Sequence, residues 1–172
     1  MDKINYLSGS KQEEWDNRKE LIKHLKNNFE KLDVEIIYNL ELFMNRQSLS
    51  RLLFMDMLYK KIINVHGVIM EFGVRWGRNL VLLSNLRGIY EPYNYNRKII
   101  GFDTFEGFPD LTPEDGTLLK KGDYKVLQNW EKVLEKILEC HEKESPIPHI
   151  KKFEIVKGDA IKTSKKYIEE NP

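Results

Sequence analysis

Three short apolar runs, each with an acidic residue at or near its end and each followed by helical periodicity, constrain this chain more than any other feature. Val68-Ile69-Met70-Glu71-Phe72 opens after Gly67 and closes at Gly73. Lys98-Ile99-Ile100-Gly101-Phe102 ends at Asp103, and Phe153-Glu154-Ile155-Val156 runs into Lys157-Gly158-Asp159. Runs this short, mainly apolar and rich in strand formers read as buried strands of a parallel sheet. Helical spacing separates them. Leu80, Leu82, Leu83 and Leu86 recur over residues 79–89, and Leu127, Trp130, Leu134, Ile137 and Leu138 share one face of a helix that Pro146 and Pro148 stop. A last helix begins near Ile161. Strands alternating with helices imply an α/β fold with right-handed crossovers and helices on both faces. Ligands of such sheets lie beyond the carboxyl ends of the strands, where the acids stand.

The preceding segment is helical. Residues 1–32 form a polar extension with Trp15, Leu21, Ile22, Leu25 and Phe29 at helical spacing, predicting a peripheral helix over 11–31. A helical cap over 33–65 follows, its main helix carrying Leu49, Leu52, Leu53, Met57, Ile62 and Ile63 and ending near Asn64. The βαβαβα unit then occupies 66–172. Charge narrows the partners: 28 Lys and Arg against 27 Asp and Glu give +1, without the basic surplus of a nucleic-acid binder. A single cysteine, Cys140, excludes an intramolecular disulfide framework and suits a reducing compartment. The N-terminus shows no apolar signal region, and no run approaches the ~20 apolar residues of a membrane span. A cytoplasmic protein with a small-molecule partner is expected, without nucleic acid or membrane.

Each strand end has its own chemistry and its own plainer alternative. In Glu71-Phe72-Gly73-Val74-Arg75-Trp76-Gly77 the glycines tolerate positive φ and allow close ligand approach, and the following helix start offers unpaired amides to an anion. A tight strand-to-helix turn with Glu71 as a cap is the alternative. Asp103 is placed to accept both hydroxyls of a ribose, although it lies 30 residues after Gly73 where a dinucleotide unit expects ~20. The insert Tyr90-Glu91-Pro92-Tyr93-Asn94-Tyr95-Asn96 accounts for the excess, and Asp103 capping the turn through Gly107 is the alternative. Asp159 can accept from an adenine amine while the Ala160 amide donates to a ring nitrogen; as an N-cap it serves the last helix instead. Three successive acidic ends together describe an adenosyl site.

With Glu71 through Gly77, Gly101-Phe102-Asp103-Thr104-Phe105-Glu106-Gly107-Phe108-Pro109 and Gly158-Asp159, the sequence resembles the macrocin O-methyltransferase family from about Asn45 onward. These are class I S-adenosyl-L-methionine-dependent methyltransferases with a Rossmann-like parallel sheet, several acting on sugar hydroxyls. The resemblance implies that Glu71, Gly73, Val74, Gly77 and Asn79 surround the methionine portion and sugar of the cofactor. By the same resemblance Asp103, Thr104 and Phe105 lie against the ribose, and Asp159 and Ala160 against the adenine. Arg46 and Arg51 are candidates for reaching an anionic substrate group, a solvated helix face being the alternative. The chain is expected to carry the cofactor half only, with an incomplete sheet of about three strands. The Asp-x-Asp strand that resembles a magnesium site in the family is not in this sequence, so no catalytic or metal-binding residue is assigned within it, magnesium is expected only in a full-length protein, and these residues alone are expected to be inactive. Without the neighbouring strand the first strand becomes an edge, so a marginal, aggregation-prone or dimeric polypeptide is expected.

Two other function classes remain. An NAD-binding oxidoreductase would use the same scaffold, but the third glycine of its fingerprint is missing. A non-catalytic interaction fragment would pair its open sheet edge with another chain. His24, His66, His141 and His149 form no metal signature, and Cys140 reads as an inert residue beside the apolar face of its helix. Trp76 reads either as a cofactor contact or as core, and Tyr90, Tyr93 and Tyr95 either line a substrate mouth or fill the crossover.

Overall fold

The structure, a computed structural model, describes residues 11–108, 111 and 119–171. Residues 1–10 of the extension, residues 109, 110 and 112–118 (Pro109 of the second motif among them) and residue 172 lie outside these. Two compact units divide the chain, Met1–Arg51 and Leu52–Pro172.

In the first unit α1 spans Gln12–Leu32, opened by the Lys11 N–H donating to Glu14 Oε2 at 3.0 Å. None of its residues is buried, as the polar periodicity predicts for a peripheral helix. A short helix α2 (Glu35–Tyr38) and a 3-10 turn (Leu40–Phe43) follow, elements too short to leave a periodic signal. Helix α3 (Arg46–Ile62) crosses into the second unit, its start capped where Asn45 Oδ1 accepts the Ser48 N–H at 2.8 Å.

The second unit is an α/β sheet of three parallel strands in the order β1 (Ile69–Phe72), β2 (Ile99–Asp103), β3 (Phe153–Lys157). Helix α4 (Arg78–Tyr90) connects the first two, α5 (Trp130–Glu144) precedes β3, and α6 (Ala160–Glu170) follows it. Pairing Glu71 with Gly101, and Gly101 with Ile155, brings the three carboxyl ends level. The two faces of the sheet follow the strand period of two. Ile99 packs with Leu80, Leu83, Leu86, Leu134 and Leu138 of α4 and α5. Ile100 and Phe102 pack on the opposite face with Tyr167 of α6. A Cβ on Gly101 would stand 2.7 Å from Val74 Cγ2 and 3.0 Å from Leu80 Cδ1, so this glycine lets α4 lie close on the sheet.

Two buried charge clusters tie the crossovers. Glu91 accepts from Tyr59 Oη at 2.7 Å, Arg97 Nε at 3.0 Å and Asn94 Nδ2 at 2.7 Å. Arg97 also donates to the Gly67 and Ile62 carbonyls, anchoring the approach to β1. The insert of residues 90–96 thus builds a structural knot, Tyr90 included, since its hydroxyl donates to Asp56. Tyr93 and Tyr95 are exposed. At the other end, Glu142 pairs with Arg87 and Lys152, and the Lys152 ammonium also donates to the Ile147 and Ile150 carbonyls.

The structure differs from the sequence reading in several places. Helix α5 begins at Trp130, so Leu127 precedes it and is exposed, and Cys140 is exposed as well. Val68 stands outside β1, and Phe72 is 56% exposed, because among the described residues β1 has a neighbouring strand on one side only. Among the described residues no helix is long and apolar enough to cross a membrane.

Candidate functional site

A cavity of about 420 Å³ opens at the carboxyl ends of the strands, a size suited to a small organic ligand. The turn after β1 contributes Gly73 and Arg75; the end of β2 contributes Phe102, Asp103 and Thr104; Gly158, Asp159 and Ala160 come from the β3–α6 junction. Gly107, Phe108 and Tyr124 complete it from the loop after β2.

Asp103 is the hub. Its Oδ2 accepts the Arg75 N–H at 2.7 Å and its Oδ1 accepts the Phe105 N–H at 2.6 Å. One carboxylate therefore holds the β1 turn and starts the turn after β2. It does what the capping alternative described and still faces the cavity, because each oxygen carries a further lone pair. The Thr104 hydroxyl donates to the Gly107 carbonyl at 3.2 Å and accepts the Glu106 N–H, fixing the same turn. Asp159 is the N-cap of α6, accepting the Ile161 N–H at 3.0 Å while lining the cavity. Ala160, the first residue of α6, presents one of the amides a helix start leaves without an intrahelical acceptor.

Glu71, Val74, Gly77, Asn79 and Phe105 are not among the residues that line this cavity, and each has another role. Glu71 accepts from Asn79 Nδ2 at 2.8 Å, joining β1 to the first turn of α4. Val74 and Phe105 are buried, their side chains in the core and their backbones in the turns. Gly73 (φ +84) has open space where a side chain would be, as close ligand approach requires. Gly77 (φ +81) does not: a Cβ there would meet Leu134 Cδ1 at 2.3 Å, so its glycine serves the packing of α5. Trp76 meets Trp130 edge to face at 5.0 Å. Arg46 and Arg51 belong to the first unit, where Arg46 lines a shallow groove with Glu14 and Arg18.

Sequence reasoning assigned no role to Arg75, Phe108 or Tyr124. Phe108 and Tyr124 meet edge to face at 5.5 Å, and the Arg75 guanidinium lies 4.6 Å from the centre of the Tyr124 ring. The strand-like pair Phe108 N–H to Asp123 carbonyl and Gly122 N–H to Phe108 carbonyl holds the two aromatics together. Gly107 leaves no room for a side chain beneath it, a Cβ standing 2.2 Å from the Asp123 carbonyl oxygen. Arg75 and Phe108 lie inside the two motifs and were legible as part of them, whereas Tyr124 carries no local signal.

The donor set fits an adenosyl group: two carboxylates with lone pairs to spare, a free helix-start amide and glycine at the closest approach. Among the described residues no group of three or more His, Cys, Asp or Glu side chains is gathered to hold a metal ion.

No family model matches the chain, and no curated protein does. Solved structures do. The crystal structure of CalS11, a calicheamicin methyltransferase, is 38% identical with a TM-score of 0.91, over 100% of this chain and 68% of that one. The apo structure of CalS11, a TDP-rhamnose 3'-O-methyltransferase in calicheamicin biosynthesis, is 35% identical with a TM-score of 0.80, over 99% and 66% respectively. The chain thus spans about two thirds of their length.

Proposed function

Because the chain belongs to the methyltransferase family of CalS11, we propose that it binds S-adenosyl-L-methionine and serves methyl transfer to a hydroxyl of a sugar. The acceptor class in this reading is a sugar or sugar-containing metabolite, a nucleotide-linked sugar being the CalS11 example. The macrocin O-methyltransferase resemblance is its finer form, carried by the two motifs. The observation that supports it most is the single cavity that takes in Gly73, Asp103 and the Asp159–Ala160 pair from three successive strand ends.

Each group then has a task. Asp103 accepts the ribose hydroxyls, and it stays pre-organised because two backbone amides already fix its carboxylate. Asp159 accepts from the adenine amine and the Ala160 amide donates to the ring, while Gly73 lets the chain pass close to the ligand. Glu71 and Asn79 brace the turn toward the methionine portion. The cofactor, when bound, supplies an electrophilic methyl group on a sulfonium. The protein's contribution is placement of that methyl in line with the acceptor oxygen. Arg46 and Arg51 remain proposed contacts for an anionic acceptor group, and magnesium belongs to the proposal only for a longer protein carrying an Asp-x-Asp strand. The partners of this reading are small molecules, with neither nucleic acid nor membrane among them.

Calorimetric titration with S-adenosylhomocysteine tests it. Binding is expected, not displaced by NADH, and Asp103→Ala is expected to weaken it about tenfold or more through loss of charge-assisted hydrogen bonds. A folded sample that gives no heat, or that prefers NADH, overturns the assignment.

A further inference from the structure

We propose that Arg75 reads the carboxylate of the cofactor's amino-acid portion, an assignment that rests on the S-adenosylmethionine reading and goes beyond it in naming the group that recognises that end. Arg75 sits in the turn between β1 and α4 with φ +53, a left-handed backbone that non-glycine residues adopt rarely. Its own N–H, bonded to Asp103 Oδ2 at 2.7 Å, holds it there. Strain of this kind persists where surrounding structure over-determines it, commonly at ligand sites.

The side chain supplies the second observation. The guanidinium lies over the Tyr124 ring, its carbon 4.6 Å from the ring centre, and Nε is buried without a hydrogen-bond partner. Among the described residues no carboxylate pairs with it. Arg75 is also the only cation among the described residues lining the cavity, where the other charged groups are Asp103 and Asp159. The guanidinium is a planar fork of N–H donors, and that fork matches a planar two-oxygen acceptor. Ribose hydroxyls and an adenine amine are donors, and they suit the two aspartates. The carboxylate of an S-adenosyl ligand is the acceptor that Arg75 lacks.

Two ligands that differ only in this end provide the test. S-Adenosylhomocysteine carries the amino acid, whereas 5'-methylthioadenosine has the same adenosine and thioether without it. In the full chain Arg75→Gln is expected to weaken S-adenosylhomocysteine by about 10- to 100-fold, the loss typical of charge-assisted hydrogen bonds, and to leave methylthioadenosine unchanged. Arg75→Lys, which keeps the charge but not the fork, is expected to fall between. Equal weakening of both ligands would mean that Arg75 only supports Tyr124, and an unchanged S-adenosylhomocysteine affinity would mean that the anion it meets is elsewhere; either overturns the proposal. If the folded parent protein binds methylthioadenosine but gains nothing from the amino acid, only this proposal fails. If it binds neither, the S-adenosylmethionine reading fails as well.

Discussion

At Gly77 two requirements coincide. The backbone is left-handed at φ +81, and Leu134 of α5 fills the space a side chain would take. An L residue in that conformation costs about 1–2 kcal/mol, and an extra methyl forced into a packed core adds about 1–3 kcal/mol. Gly77→Ala is therefore expected to lower unfolding free energy by about 2 kcal/mol or more, read as a fall in the urea midpoint. Leu134→Ala, itself costing about 2–5 kcal/mol, opens the space that the new methyl needs. The double variant should be more stable than the sum of the single losses predicts, because the two sites share one volume. Strict additivity would show that the clash with Leu134 is not what keeps position 77 a glycine. Gly73, with open space around it, should respond differently: alanine there carries backbone strain without a clash, and its larger effect falls on ligand approach.

At the scale of elements, the knot of Tyr59, Glu91 and Arg97 joins α3, the end of α4 and the approach to β1. Burial by itself raises the Glu91 carboxyl, but hydrogen bonds from Arg97, Tyr59 and Asn94 outweigh it and hold the group below its ordinary value. The folded pKa is thus depressed, so the stabilisation is present above the unfolded value of about 4.5 and is lost as pH falls through the folded one. Tyr59 behaves oppositely: burial first, then the Glu91 carboxylate, pushes its hydroxyl up, so its contribution holds below about pH 10 and fades above it. Glu91→Gln is expected to cost about 3–5 kcal/mol at neutral pH, the loss typical of breaking a buried pair. It should also flatten the acid limb of the stability curve. Urea midpoints measured from pH 3 to 7 check both effects, and an acid limb of unchanged slope would remove Glu91 as its source.

Among the described residues of the molecule, the sheet has one protected strand and two edges. β2 is buried from Ile99 to Phe102, while β1 leaves Phe72 more than half exposed although its ring stacks on Phe102 at 5.1 Å. An apolar strand with unpaired backbone groups is a template for another chain. The 172-residue chain is expected to associate as concentration rises. Val68→Lys, placing a charge beside that edge, should reduce the mass seen by light scattering while leaving the far-ultraviolet circular dichroism intact. A concentration-independent mass in the parent chain would show that the edge is inert.

What the sequence by itself determined is local or follows from level strand ends. Short apolar runs rich in strand formers and leucines at three- to four-residue spacing decide strand and helix through short-range geometry, so β1 to β3 and α4 to α6 were legible within a few residues. Parallel pairing then carries Asp103 and Asp159 to one end of the sheet, so their convergence on one cavity was legible from strand order alone. Only the tertiary structure decided how the glycines divide their duties, because Gly73 and Gly77 have the same kind of turn and differ in what stands opposite them. The same holds for Arg75 on Tyr124 and for Arg87 and Lys152 on Glu142. A side chain's partner across a long stretch of chain is set by the packing of helices on the sheet, and no periodicity in the sequence encodes that distance.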